Sequence, residues 1–189
     1  MSKRNDLVRL LAERSVKTGN FVLASGKHSN VYVDARLTTM SPDGLSLIGQ
    51  LGLDIIAKAD WRPEAIGGLT LGADPIAYAI SYASARLEHP LRAFTVRKQA
   101  KSHGTGNQIE GPFSSGDRVV IVEDVITTGN SALRAIDAVE AAGGIVVGVL
   151  ALVDREEGGR EMIAARGHDV VAAARVGEII ELQRQSDNL

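Results

Sequence analysis

The chain has 189 residues, with 21 Lys and Arg against 23 Asp and Glu, so its formal net charge is −2. This length suits one domain, 44% hydrophobic residues are too many for a disordered chain, and the near-neutral charge argues against a nucleic-acid partner. The lack of cysteine excludes disulfides and thiolate sites, and the lack of a long apolar run or signal peptide favours a cytoplasmic protein without a membrane partner.

The predicted elements begin with an amphipathic helix at 4–17 and a β-hairpin whose strands, 21–24 and 30–36, flank a polar turn. A second helix is predicted at about 42–59. Strands and helices then alternate, which is typical of βαβ units with a parallel sheet. Five parallel strands are predicted, at 65–68, 91–96, 118–122, 145–153 and 169–174. Helices are predicted at 74–86, 131–142, 162–166 and 177–185.

One polar segment fits no element. Residues 99–111 (QAKSHGTGNQIEG) hold three glycines and show no periodicity. A loop of this length in a compact domain is usually functional or disordered. Arg97 and Lys98 precede it and Lys101 and His103 lie within it, so cations gather here on a chain of almost no net charge.

The most informative motif is VVIVEDVITTGNSAL at residues 119–133. A buried strand ends in Glu123 and Asp124, and a turn then opens a helix near Ser131. Ligands of open α/β sheets bind beyond the carboxyl ends of strands, and a helix N-terminus offers free N–H groups to a phosphate. Asn130 and Ser131 are also good N-cap types. The acids repel a phosphate, so they suit the vicinal hydroxyls of a ribose, or a metal.

The acidic pair followed by V-I-T-T-G-N-S resembles the phosphoribosyl diphosphate signature of the type I phosphoribosyltransferases. The resemblance implies that Glu123 and Asp124 bind the ribose 2′ and 3′ hydroxyls, and that a phosphate loop binds the 5′-phosphate. The implied residues of that loop are Val125, Ile126, Thr127, Thr128, Gly129, Asn130 and Ser131. It also implies that family's α/β fold, with about five parallel strands flanked by helices and a small N-terminal hood containing the hairpin. Residues 1–189 are then one domain, with a hood from about 1–40 plus the C-terminal segment and a mobile loop at about 99–111.

Three further segments resemble the orotate phosphoribosyltransferases within that family. They are FVLASGKHSNVYVDAR (21–36), RKQAKSHG (97–104) and LVDREEGG (152–159), similar to its N-terminal signature, mobile catalytic loop and orotate-reading segment. The resemblance implies that the loop cations engage the donor diphosphate, and that the loop acts across the interface of a homodimer. These cations are Arg97, Lys98, Lys101 and His103. The implied catalytic residues are Lys98, Lys101, His103 and Asp124.

The resemblance also implies how orotate is bound. Arg155 is expected to pair with the orotate carboxylate, because a guanidinium matches a carboxylate in bidentate fashion; an ion pair with a neighbouring glutamate is the alternative. Thr127 is expected to contact the pyrimidine and Tyr32 to lie beside its ring, although Tyr32 also suits a core aromatic. The turn at 68–75 resembles the family's diphosphate loop. Some members carry lysines where this chain has Ala24 and Leu71–Gly72, so those two contacts do not transfer.

The implied reaction joins orotate to phosphoribosyl diphosphate, giving orotidine 5′-phosphate and diphosphate on the way to UMP. Mg²⁺ is implied as a cofactor bound mainly through the substrate diphosphate, because this ion prefers phosphate oxygens to protein cages. No cluster has the spacing of a structural metal site. Two alternatives stay open: a phosphoribosyltransferase for uracil or a purine base, and a nucleotide-sensing regulator of this fold.

Overall fold

The computed structural model describes residues 2–22, 28–99 and 108–187. The chain begins with helix α1 (Lys3–Arg14), which Ser2 caps by accepting a hydrogen bond from the backbone N–H of Asn5. This helix ends three residues before the predicted limit, because Val16 already pairs with the second strand of the hairpin. A side-chain cap and an early strand therefore fix both ends of α1.

The predicted hairpin is confirmed, although its first strand begins earlier and is longer than expected and its second strand is shifted toward the N-terminus. Strands β1 (Val16–Val22) and β2 (His28–Val33) pair antiparallel, and the last residue of β2 lies opposite the first of β1. Helix α2 (Arg36–Thr39), which the sequence did not predict, connects β2 to helix α3 (Pro42–Lys58). Ser41 caps α3, where Pro42 occupies the first turn as the sequence predicts.

The rest of the chain alternates strands and helices, as predicted. The middle elements are β3 (Ala65–Leu69), α4 (Ala73–Ser84), β4 (Arg92–Val96), β5 (Ile109–Glu110) and β6 (Arg118–Ile126). The last elements are α5 (Asn130–Ala141), β7 (Ile145–Asp154), α6 (Gly159–Ala165), β8 (Val170–Arg175) and α7 (Val176–Asp187).

The central sheet has the strand order β5-β4-β3-β6-β7-β8. Its five long strands are parallel, which confirms the predicted number and direction. The short sixth strand, β5, is antiparallel to β4 and corrects the prediction of an irregular loop over 99–111. The pairing of β4 with β5 continues past the ends of both strands, since the backbone N–H of Arg97 donates to the carbonyl oxygen of Gln108 at 2.8 Å. Residues 100–107 of that predicted loop lie outside the described ranges.

Helices cover both faces of the sheet and enclose two apolar clusters. The cluster on one side includes residues of α1, α3, α4 and α7, and the cluster on the other includes residues of α5 and α6. Helix α7 returns to the N-terminal elements, where the Gln183 amide donates to the backbone oxygens of Ala12 and Val16. Within the described ranges, every helix is too short or too polar to cross a lipid bilayer.

Candidate active site

A cleft of about 340 Å³ opens at the carboxyl ends of the central strands. It lies between β3 and β6, where the chain connections leave the sheet in opposite directions, which is the usual place for a ligand in this architecture. Its lining comes from residues 33–36, residues 69–72 and the end of β6, together with Lys98, Ser131 and Arg155. The hairpin, the acidic motif and the segment after β7 therefore meet at one place.

The acidic pair lies inside strand β6, which corrects the prediction that the strand ends at residue 122. Pairing with β7 continues to Ile126, whose carbonyl oxygen accepts a hydrogen bond from the Arg155 backbone at 2.9 Å. Because neighbouring strand residues alternate sides, the two acids reach the cleft from different directions. Glu123 bonds to Ser131 at the start of α5, while Asp124 faces Gly72 in the turn after β3.

Burial changes the ionisation of Glu123. Removal from water, with a smaller contribution from the charge of Asp124, raises its pKa to about 8, and the hydrogen bond with Ser131 partly opposes this. One of its oxygens, Oε2, is buried and has no hydrogen-bond partner within the described part of the chain. A buried acceptor without a partner costs free energy until a donor arrives, so this atom is suited to a ligand hydroxyl.

Asp124 is positioned by a backbone hydrogen bond and by close packing against Gly72. Burial raises the pKa of Asp124, while the backbone N–H of Val125 donates to its Oδ1 at 2.9 Å and opposes the rise. A Cβ atom on Gly72 would lie 2.4 Å from the Asp124 carboxyl carbon, so only glycine leaves room for this carboxylate. The two carboxylates could hold hydroxyls or a divalent cation. In residues 2–22, 28–99 and 108–187, no group of three or more His, Cys, Asp or Glu side chains is placed to hold a metal.

The turn after β6 leaves the start of α5 open to an anion. The N-cap is Gly129, with a φ of 80°, which corrects the prediction that Asn130 or Ser131 caps the helix. A Cβ on Gly129 would also lie 2.8 Å from the carbonyl oxygen of Gly159, so conformation and packing both require glycine. Among the described residues no side chain caps this helix, so its first N–H groups and its positive dipole end are available to a phosphate.

The other residues of the predicted phosphate loop divide into three groups. Val125 and Thr127 line the cleft, as Ser131 does. The Ile126 side chain is buried in the cluster beneath α5, so only its backbone can reach a ligand. Thr128 and Asn130 are exposed on the turn, outside the cleft lining. Their contacts with a phosphate stay predictions.

The described loop cations lie at the edge of the cleft. Lys98 is exposed and lines it, while Arg97 lines an adjoining cavity and is 3.4 Å from the Glu110 carboxylate. Lys101 and His103, the other predicted diphosphate ligands, lie outside the described residues.

Arg155 is positioned as a nearly buried cation at the cleft. Its side chain is 9% exposed, and its Nη2 donates to Ser29 Oγ at 3.1 Å and pairs with Glu157 at 2.7 Å. The alternative ion pair with a neighbouring glutamate therefore exists, but it leaves the buried Nε without a partner among the described residues. Asp154 holds the turn by accepting from the backbone N–H of Glu156 at 2.8 Å.

Tyr32 takes a different position from the cleft residues. Its side chain is 40% exposed, and its ring lies 5.6 Å from that of Phe21 across the hairpin. The next residue, Val33, lines the cleft instead. A contact between Tyr32 and a pyrimidine ring stays a prediction.

Sequence reasoning missed the charged pair that follows β2. Arg36 Nε donates to Asp34 Oδ1 at 2.8 Å, and both side chains line the cleft. Arg36 lowers the pKa of Asp34, and its charge partly opposes the burial that raises the pKa of Asp124. The available signal was the Asp-Ala-Arg that ends the N-terminal signature, directly before the helix that brings Arg36 to the acids.

The chain was compared with known protein families and sequences. Residues 41–171 match the family model described as the phosphoribosyl transferase domain. The chain is 45% identical over 183 residues to an orotate phosphoribosyltransferase of Aquifex aeolicus, a match covering 95% of this chain and 99% of the relative. It is 48% identical to one from Corynebacterium glutamicum (strain R), over 87% of this chain and 86% of the relative.

Solved structures give the same result. Mycobacterium tuberculosis H37Rv orotate phosphoribosyltransferase in complex with Fe(III) dicitrate superposes with a TM-score of 0.83 at 44% identity, covering 94% of this chain and 99% of that one. The structure of the same enzyme with 5-phospho-α-D-ribosyl 1-diphosphate gives a TM-score of 0.80 at 40% identity, over 94% and 99%.

The raised pKa of Glu123 predicts a pH-dependent stability. Between its ordinary value of 4.5 and about 8, the unfolded chain loses this proton while the folded chain keeps it, so the free energy of unfolding falls as the pH rises. Glu123→Gln removes this loss. We expect the free energy of unfolding of the variant, relative to that of the wild type, to rise by a few kcal/mol between pH 5 and pH 8, measured by urea unfolding.

The matched control is Glu161→Gln, at an exposed glutamate of α6. It accounts for the general effect of removing one carboxylate. Wild-type and Glu123→Gln stability curves that run parallel over this range would show that Glu123 titrates normally.

Proposed function

The chain belongs to the phosphoribosyltransferase family and, within it, to the orotate phosphoribosyltransferases, and on that premise we propose how its cleft binds and activates the substrates. Orotate phosphoribosyltransferases transfer the 5-phosphoribosyl group from phosphoribosyl diphosphate to orotate, giving orotidine 5′-phosphate and diphosphate for pyrimidine synthesis. The observation that carries the assignment of residues is the separation of charge in the cleft. Partly buried acids, uncapped N–H groups and a nearly buried arginine occupy different sides of one space.

The ribose and its 5′-phosphate are assigned to the β6–α5 segment. Glu123 and Asp124 accept hydrogen bonds from the 2′ and 3′ hydroxyls, and the unpartnered Oε2 of Glu123 is one of those acceptors. The 5′-phosphate lies against the turn from Val125 to Ser131, where backbone N–H groups and hydroxyls donate. The acids exclude the phosphate from their own side by repulsion, so the sugar binds in one orientation.

The departing diphosphate is assigned to the opposite side, between residues 69–72 and the loop cations. Arg97, Lys98, Lys101 and His103 are the proposed ligands, and Lys98 is the one that lines the cleft among the described residues. Negative charge develops on the leaving diphosphate in the transition state, so cations placed there lower the barrier more than they strengthen substrate binding. Lys98, Lys101, His103 and Asp124 are the proposed catalytic residues.

Orotate is assigned to the space beside Arg155. Its buried guanidinium has an unpartnered Nε, and a planar carboxylate can accept from Nε and a neighbouring nitrogen together. Thr127, a residue of the phosphate turn that lines the same cleft as Arg155, contacts the pyrimidine, and Tyr32 lies beside the ring. Neutral bases offer no carboxylate, so this arginine selects orotate.

The chemistry needs no covalent nucleophile from the protein. Orotate is already an anion, and the reacting sugar carbon passes through an oxocarbenium-like transition state, as in glycosyl transfer generally. Asp124 places a negative charge beside that developing cation, while the two phosphate sites hold the sugar in line with the base. Mg²⁺, held mainly by the substrate diphosphate, would neutralise the leaving group, and the acidic lining of the cleft attracts such a cation.

The active form is proposed to be a homodimer in which the segment that follows Lys98 acts on the partner's cleft. Large apolar side chains exposed on α4 and on the turn before it support this, since Leu71, Tyr78 and Tyr82 are each more than half exposed. Leu37 in α2 and Met40 directly after it are also exposed. Large apolar side chains exposed together are typical of interfaces, so a second copy is the proposed occupant.

Base selectivity tests this assignment. The wild type is expected to turn over orotate and to leave uracil, hypoxanthine and adenine almost unused, measured as diphosphate release.

Arg155→Ala is expected to raise KM for orotate about tenfold or more, because a charged pair is lost, and to leave KM for phosphoribosyl diphosphate nearly unchanged. Arg86→Ala, at an exposed arginine just after α4 that does not line the cleft, is the control. A wild type that uses a neutral base, or equal effects on both KM values, would contradict the orotate assignment.

Mixing two inactive variants tests the shared active site. Lys101→Ala and Asp124→Asn are each expected to be nearly inactive alone. When the two are unfolded and refolded together, mixed dimers carry one cleft with an intact acidic pair and an intact loop, so about a quarter of wild-type activity is expected to return. A mixture that forms mixed dimers by native mass spectrometry but regains no activity would show that each loop serves its own chain.

A further inference from the structure

Asp74 is a buried carboxylate that the roles given above do not use. It lies in the first turn of α4 and is 9% exposed. Thr70 Oγ1 donates to its Oδ2 at 2.7 Å, and Thr95 Oγ1 donates to its Oδ1 at 2.9 Å. The Tyr78 hydroxyl is 2.9 Å from the same Thr95 oxygen. Both carboxylate oxygens are therefore occupied by hydroxyls from two separate segments.

These two segments, the turn after β3 and the end of β4, face the proposed position of the leaving diphosphate. Thr70 belongs to the turn after β3 and lines the cleft. Thr95 belongs to β4, two residues before Arg97, and the backbone N–H of Thr70 donates to the neighbouring carbonyl of Val96 at 2.8 Å. Thr70 and Lys98 also line the cavity of about 560 Å³ that adjoins the cleft. Asp74 thus joins the proposed diphosphate turn to the strand that carries the first cations.

The need for fold stability explains this carboxylate only in part. An acid in the first turn of a helix is stabilised by the helix dipole, and that accounts for its position on α4. It does not account for two bonds to hydroxyls outside the helix, because an apolar residue would fill a buried site at less cost in desolvation. A fully hydrogen-bonded buried group fixes the geometry of the segments that it joins.

We propose that Asp74 is a positioning residue for the leaving group, which fixes the turn at 70–72 against the end of β4. The backbone N–H groups of the turn and the cations after β4 are then held at a set separation and converge on one diphosphate. This inference rests on the diphosphate placement proposed above. Asp74 does not touch the substrate; it acts through Thr70 and Thr95.

Single substitutions in the full chain test this proposal. Asp74→Ala is expected to raise KM for phosphoribosyl diphosphate about tenfold or more, since two charge-assisted hydrogen bonds are lost, and to leave KM for orotate within about twofold. Asp74→Asn is expected to restore part of the loss, because an amide can still bond to both hydroxyls. Thr70→Val and Thr95→Val each cut one link and keep the side-chain volume, so each is expected to reproduce part of the effect.

The matched control is Ser81→Ala, two turns further along α4. Its hydroxyl donates to the carbonyl of Leu91 at 2.7 Å, away from the cleft, so kinetics should not change. Thermal unfolding of every variant separates loss of fold from loss of positioning. If Asp74→Ala and Thr70→Val keep wild-type KM values, or if both substrates are affected equally, the inference is wrong. Failure of the wild type to use orotate would instead overturn the proposed function.

Discussion

Two adjacent, partly buried carboxylates near the end of the central strand are the constraint on which the rest of the site depends. Burial raises the pKa of both, because folding removes part of the water that would stabilise their charges. Few neighbouring groups offset this cost. A Ser131 hydroxyl stabilises the Glu123 carboxylate, while backbone hydrogen bonding and the positive charge of Arg36 stabilise that of Asp124. Gly72 leaves the space into which Asp124 projects. One oxygen of the pair stays unpartnered among the described residues and is open to a ligand.

The acidic pair also orders the rest of the cleft by charge. Phosphates cannot approach the acids, so one is directed to the uncapped start of α5 and the other toward the turn after β3 and the loop cations. The ribose hydroxyls are the part of the donor that the acids can hold. Arg155, directly after the neighbouring strand β7, provides the remaining cationic site for an anionic base. Each part of the two substrates thus has a distinct electrostatic environment, and the reactive sugar carbon lies between them.

Much of this arrangement could be predicted because it depends on local patterns. Apolar runs indicated the five parallel strands, and the acidic pair with its glycine turn indicated the site at their carboxyl ends. The exact end of β6 could not be predicted, because it depends on pairing with β7 as far as Ile126. Residue type predicted Asn130 or Ser131 as the N-cap of α5. The N-cap is Gly129 instead, because the close approach of Gly159 leaves no room for a side chain there. The roles of Arg36 and Asp74 escaped notice because folding alone brings the charge of Arg36 near Asp124 and the Thr95 hydroxyl to Asp74.

Proton release on substrate binding tests the central claim most directly. If Glu123 keeps a proton in the free enzyme and accepts a ribose hydroxyl as a carboxylate, binding must expel that proton near pH 7.5. Calorimetric titration of phosphoribosyl diphosphate in buffers of different ionisation enthalpy counts the protons. The wild type is predicted to release a large fraction of one proton more than Glu123→Gln does. Equal proton release by the two proteins would contradict the account.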